Sequence, residues 1–258
     1  MLGSIRWKLN LNFIIKTISY IFGAFALAAL PALAGQNPAQ SGKSVVLSVI
    51  ENDETHAVAR EVVREAYRRL GIEVVFYELP ARRALSWANE GKTDGDVARI
   101  RGTEESYPNL IPVEVPVTVF KGVAFTKDVD EKIAEWADLR KYIVGIVRGI
   151  RYAEIGTQGM QVFEANNMTH LFTLLDSGRI QIAVAVREAG LIEARKNFKN
   201  KGIHIIGDPL YSAPLFHFVH KRNQALVLPL ESVLEEMSRI GEVEAIHIRI
   251  FNESLGAQ

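Results

Sequence analysis

Arginines at the ends of apolar runs carry most of the chemistry this sequence offers. Arg99 closes a short apolar stretch that begins at Gly95, and Arg83 lies near the start of a helix just past Pro80. Arg148 and Arg151 flank Gly149 and Ile150 after the run Tyr142–Val147, with Tyr152 next in the chain, and Arg187 follows the run Ile180–Val186. A guanidinium presents a planar fork of donors that matches a carboxylate, a phosphate or an acidic sugar. In open α/β sheets ligands sit beyond the carboxyl ends of strands, which is where Arg99, Arg148, Arg151 and Arg187 fall. Glu51, Asn52 and Asp53 end the first apolar run and suit either a cationic or hydroxyl group of a ligand or ordinary turn and capping chemistry. The arginines have plainer uses too. Arg83 or Arg99 can brace against Glu78, Asp94 or Asp96, and Arg148 and Arg151 can form a solvated loop.

Other chemistries lack a constellation. There is no cysteine, so neither a disulfide framework nor a lipid-modified cysteine is available. No H-E-x-x-H, G-x-S-x-G, Walker loop or dinucleotide glycine fingerprint occurs. His217 and His220 lie in an extended run, where a spacing of three sends side chains to opposite faces, so no shared metal site is expected. The reading is therefore of no catalytic set, no metal and no cofactor. Tyr77, Trp87, Phe120 and Tyr211 read as core or hinge packing, with one of them able to stack on a ligand.

The elements that must position these residues follow from periodicity. Val45–Ile50 reads as a buried strand, and Val58, Val62, Val63, Ala66 and Leu70 fall at helical spacing, with Asp53 or Thr55 as cap and Gly71 as stop. Ile72–Tyr77, a helix through Ala84, Leu85 and Ala88, and Gly95–Ile100 continue the alternation, which implies parallel βαβ units. The extended segment Ile111–Thr126 comes next. A second α/β unit follows, with helices at Lys132–Leu139, Met168–Leu175 and Glu188–Phe198 and strands at Tyr142–Val147, Ile180–Val186 and Ile203–Ile206. Pro214–His220 is extended again, and Pro229–Ile240 is a helix with proline tolerated in its first turn. The chain is read as leaving a first lobe (44–121), building a second (122–213) and returning (214–258). The two extended crossings act as a hinge, with a ligand cleft between the lobes.

The first 34 residues carry Arg6, Lys8 and Lys16 without an acid, then an apolar run from Ile18 to Leu30 and Ala32-Leu33-Ala34 before Gly35. That pattern is a secretory signal with a small-x-small cleavage site, too short in its apolar run for a permanent span. Residues 35–43 read as a short leader. Removing 1–34 takes three of the 30 basic residues and none of the 30 acids, leaving a formal charge of −3. A slightly acidic surface without basic runs excludes nucleic acid and anionic membrane as expected partners. The expectation is a monomer free in the periplasm.

Several motifs, in order, resemble the extracytoplasmic solute-binding proteins of the polar amino acid type (family 3). These are Pro80-Ala81-Arg82-Arg83-Ala84-Leu85 with Gly91-Lys92-Thr93-Asp94-Gly95-Asp96, then Trp136-Ala137-Asp138-Leu139-Arg140 with Val144-Gly145-Ile146-Val147-Arg148-Gly149, and Leu174-Leu175-Asp176-Ser177-Gly178-Arg179-Ile180. The resemblance covers nearly all of residues 35–258. It implies a two-lobed type II periplasmic-binding fold, each lobe a mostly parallel sheet flanked by helices, and ligand contact from the loop at Arg148–Tyr152. It also implies a clamp arginine in the turn that here reads Thr103-Glu104-Glu105-Ser106, and an ammonium-binding aspartate where Val186 stands. Both are replaced, which points away from a standard α-amino acid.

The function expected is that of a binding protein trapping a small polar, anionic or zwitterionic solute by hinge closure for an inner-membrane ABC permease. Two alternatives stay open. One is a ligand-sensing subunit that docks on a membrane receptor. The other is a dehydratase or lyase on the same fold, with Glu51 or Glu188 as its acid or base.

Overall fold

The computed structural model describes residues 43–256. Of the expected signal sequence and leader, residues 1–42 lie outside the described residues.

Capping and packing set the first unit. Strand β1 (Ser44–Ile50) runs into helix α1 (Glu54–Arg69), whose cap is Asp53: its carboxylate accepts from the His56 backbone N–H. Strand β2 (Glu73–Leu79), helix α2 (Ala81–Asn89), strand β3 (Gly95–Arg99) and the single helical turn α3 (Thr103–Ser106) follow. Strand β4 (Leu110–Thr126) carries the chain out of this unit. The second unit holds a 3₁₀ turn (Trp136–Lys141), β5 (Val144–Val147), α4 (Arg151–Gly156), β6 (Val162–Ala165), α5 (Met168–Asp176), β7 (Ile182–Val186) and α6 (Arg187–Asn197). Strand β8 (His204–His220) returns, and α7 (Val227–Arg239) and α8 (Glu242–Ser254) finish the first unit.

The strands form one hydrogen-bonded series, β2-β1-β3-β8-β4-β7-β5-β6. The outer pairs β1–β2, β1–β3, β5–β6 and β5–β7 are parallel, as βαβ crossovers require. The antiparallel pairs all involve the two long crossing strands β4 and β8, which pair with each other from Leu110↔His220 to Thr126↔His204. Two lobes thus share a central ribbon.

Each lobe has its own apolar core. In the first, Leu47, Val62, Val97 and Val117 pack with Leu230, Leu234 and Met237 from the end of the chain. In the second, side chains alternate across the sheet with the period of a strand. Ala183 and Ala185 of β7 meet Phe125, Leu171 and Phe172 on one face, and Ile182 and Val184 meet Ile133, Leu139 and Ile146 on the other.

Some expected boundaries shifted. The helix read over Lys132–Leu139 is a 3₁₀ turn over Trp136–Lys141, closed by a reciprocal box of Glu135 and Asp138. The stretches Ile203–Ile206 and Pro214–His220 are parts of one strand, β8, rather than two elements. Gly207 lets it run on: with φ +76° it turns its Cα toward Ile133, whose carbonyl accepts from the Asp208 N–H at 2.9 Å, and a Cβ there would stand on that carbonyl. Among the described residues no helix is long and apolar enough to cross a membrane.

His217 sits at the heart of the first lobe, 1% exposed. Its Nδ1 donates to the Asp96 backbone carbonyl (2.9 Å), and its Nε2 accepts from the Tyr67 hydroxyl (3.0 Å), a pattern that only the neutral ring satisfies. Burial outweighs the carbonyl and the Asp96 charge and pushes its pKa down to about 4. The folded value lies below the ordinary 6.5, so the unfolded chain binds the proton first. Stability from this group is therefore full above pH ~6.5 and lost as pH falls toward 4, by about 3 kcal/mol in all. Urea unfolding of wild type and His217→Gln across that range is expected to give a steeper acid slope for wild type. Parallel curves would remove His217 as the proton acceptor.

Candidate functional site

Strand-end placement brings three of the predicted residues to one place. A cavity of about 680 Å³ lies between the lobes. Its first wall is the carboxyl ends of β1 and β3 with the start of α1: Ile50, Asp53, Thr55, His56, Ala98, Arg99 and Ile100. Its second wall is Trp136 and the segment Gly149–Tyr152 with Ile155 and Gly156, and Phe120, Tyr211 and Leu215 of the crossing strands form the floor.

Arg99 reaches this cavity through a bulge. In a regular strand Asp96 and Arg99, three apart, would face opposite sides. The pairing of β3 with β8 slips between Asp96↔Phe218 and Arg99↔Phe216, so three steps on β3 oppose two on β8. The two side chains then share a face. Arg99 Nε lies 2.9 Å from Asp96 Oδ1, and Nη2 donates to Oδ2 at 3.0 Å and to the Ala81 carbonyl at 3.2 Å. The Ser48 hydroxyl lies 3.0 Å from Asp96 Oδ2, and Asp96 is fully buried. The bracing role foreseen for Arg99 and its place at the cleft coexist, because none of these bonds uses Nη1.

Asp53 and His56 form the next pair. His56 Nδ1 stands 3.0 Å from Asp53 Oδ1, and Nε2 stands 2.9 Å from the Ala98 carbonyl, so the ring ties the start of α1 to β3. Burial raises the Asp53 carboxyl, but the hydrogen bonds and charge of His56 outweigh it and hold it below the ordinary carboxylate range. This carboxylate is already engaged.

The floor is aromatic. Tyr152 stacks on Tyr211 with centroids 5.2 Å apart, and Phe120 meets the two rings edge-on at 5.3 and 5.9 Å. Trp136 lies 6.4 Å from Tyr152 and covers Gly156. Tyr152 also sits directly on Gly122 of β4, and its hydroxyl is buried without a hydrogen-bond partner.

Five predicted residues stand elsewhere. Arg83 is on the exposed side of α2, and Glu51 and Asn52 are exposed in the turn before α1, where Asn52 takes φ +54°. Arg148 turns to Glu164 at 2.8 Å. Arg187 pairs with Glu188 at 3.1 Å beside a separate cavity of about 300 Å³ that also touches Lys121, Glu244 and His247. Of the four aromatics singled out in the sequence, Phe120 and Tyr211 line the cleft, while Tyr77 and Trp87 pair with each other at 6.2 Å away from it. His56, Trp136, Ile100, Ile150 and Ile155 line the cleft without having been singled out. Only Trp136 carried a sequence signal, as the large aromatic that opens the motif before β5. Among the described residues no group of three or more His, Cys, Asp or Glu is placed to hold a metal ion.

No family model matches the chain. An uncharacterized protein of Shewanella oneidensis is 26% identical over 254 residues, covering 93% of this chain and 94% of its own. The L-cystine solute receptor of Neisseria gonorrhoeae in its unliganded open conformation superposes with a TM-score of 0.67 at 18% identity, over 84% of this chain and 97% of the receptor. A histidine kinase sensor domain with similarity to periplasmic binding proteins gives 0.58 at 17% identity, over 81% and 96%. Likeness at such identities speaks to architecture, and the architecture is plain: this chain has the two-lobed α/β fold of the periplasmic binding proteins.

Proposed function

We propose that the protein is an exported solute-binding protein that closes its two lobes on a small solute and presents the closed form to an inner-membrane ABC importer. The observation that carries this reading is the cleft itself, walled by both lobes and floored by both crossing strands, so that a solute touching both walls favours the closed arrangement. Arg99 Nη1 from the first lobe, and Arg151 with Tyr152 from the second, are the contacts assigned to the ligand. The solute receptor among the structural neighbours supports the same reading.

The reading has the cleft bind rather than transform. Only one carboxylate, Asp53, lines it, with Oδ1 bonded to His56, and neither Glu51 nor Glu188 does. Small-angle scattering with a library of amino acids, organic acids, sugar acids and small phosphates tests the proposal. At least one solute is expected to reduce the radius of gyration, and a radius unmoved by the whole library would overturn hinge trapping. In the exported protein, mass spectrometry is expected to find Gly35 as the first residue. An N-terminus still carrying residues 1–34 would replace secretion by anchoring.

A sensing role is favoured by the similarity to a kinase sensor domain. Deletion of the chain in its host separates the two: loss of uptake of the solute supports import, and loss of a transcriptional response with uptake intact supports sensing.

A further inference from the structure

The cleft's lining specifies more than "small solute". Resting on the binding reading above, we infer that its ligand is a carboxylate on an aromatic or branched apolar body, without an ammonium group.

Apolar surface sets the body. Ile100 from the first lobe, and Ile150 and Ile155 from the second, are 49%, 37% and 60% exposed, and all three line this one cavity. Exposed isoleucines on facing walls are an unfavourable use of surface unless something apolar comes between them. The floor of Phe120, Tyr152 and Tyr211 offers ring faces and edges that suit a flat or branched hydrocarbon body. A polar amino acid side chain would find few partners there.

Charge sets the head group. An ammonium would depend on the one carboxylate that lines the cleft, Asp53, whose Oδ1 already accepts from the His56 backbone and lies 3.0 Å from its ring; Asp96 is buried against Arg99, and Val186 ends β7 as a hydrocarbon. The positive groups are in the opposite state. Arg151 makes no ion pair among the described residues, and Arg99 keeps Nη1 out of its bonds to Asp96 and Ala81. The second wall also holds the orphan hydroxyl of Tyr152, a donor in want of an acceptor. As the lobes close, one carboxylate between the walls would take Arg99 Nη1 and Arg151 together, against a single carboxylate of the lining that is already half engaged.

Titration calorimetry with four molecules that share a phenyl body tests this: phenylacetate, phenylacetamide, phenylalanine and 2-phenylethylamine, with arginine and glutamate as polar comparisons. Phenylacetate is expected to bind at least about tenfold more tightly than any of the others. Arg151→Gln should reduce it to the level of the amide, and the surface variant Arg179→Gln should not. Tryptophan emission should change on binding in wild type and should not change in Trp136→Phe, which retains Trp87, away from the cleft. Tighter binding of phenylalanine or 2-phenylethylamine than of phenylacetate overturns the inference, as does the absence of phenylacetate binding at about 10 mM. If arginine or glutamate closes the lobes while phenylacetate does not bind, the ligand class falls and hinge trapping stands. If phenylacetate binds with an unchanged radius of gyration, the ligand class stands and hinge trapping falls.

Discussion

Asp96→Ala is expected to cost about 3–5 kcal/mol of stability, the largest loss from any single polar side chain in the first lobe. The substitution leaves the Arg99 guanidinium, only 9% exposed, with the Ala81 carbonyl as its remaining partner. A buried charge without its counter-ion pays the full desolvation penalty. Arg99→Ala is expected to be nearly as severe, because it strands the fully buried Asp96 carboxylate beside Ser48 alone. Replacing both by hydrocarbon, as in Asp96→Leu with Arg99→Met, should recover much of the loss. Urea midpoints of the two single variants and the double variant measure it, and a loss below about 1 kcal/mol for Asp96→Ala would show that the pair is not a buried brace. This changes how Arg99 can be tested as a ligand contact. Its alanine variant confounds folding with binding, whereas Arg151, exposed and without an ion pair among the described residues, separates them.

Gly122→Ala is expected to cost about 1–3 kcal/mol and to weaken ligand binding about tenfold or more. A Cβ at this position would lie 2.2 Å from Tyr152 Cε2 and 2.8 Å from Cζ. Gly122 does not take a positive φ, although the β4–β8 register slips just after it, so the clash is steric and the ring must yield. Tyr152 can yield only by giving up its stack on Tyr211 and its edge contact with Phe120, which dismantles the floor of the cleft. Tyr152→Ala makes room. The double variant should therefore be no less stable than Tyr152→Ala alone, a non-additivity that independent sites do not show. Additive losses would place the effect of Gly122 somewhere other than Tyr152.

The fold was legible where periodicity and capping agree. Asp53 before a helical apolar row and Gly71 after it bound α1 well, and the long apolar runs of β4 and β7 declared themselves. Strand β6, four residues at the sheet edge, and α4, six residues, are too short to show a period. The site was half legible. Strand-end placement pointed to Arg99, Arg151 and Tyr152, because loops after parallel strands face the cleft. The same rule also pointed to Arg148 and Arg187, whose neighbours Glu164 and Glu188 turn them aside. The Asp96–Arg99 geometry was out of reach, since alternation puts residues three apart on opposite faces and only the bulge reverses it. His56 gave no signal either, as a histidine in the first turn of a helix looks like packing. That Ile100, Ile150 and Ile155 stay exposed is a property of tertiary arrangement, and no local pattern carries it.

The central ribbon of β4 and β8 has a consequence for the order in which the molecule is finished as it is made. The apolar contacts of the second lobe come from residues between Val123 and Ile206, with Leu210 just beyond, a continuous length of chain. Those of the first join Val45–Val117 to Leu215, Leu230, Leu234, Met237 and Ile246. The contacts of the middle lobe are therefore complete in themselves once residue 210 is made, while closing the first lobe spans a longer loop, with the larger loop-closure entropy. The lobe that holds β1 cannot be complete before α8 has been made.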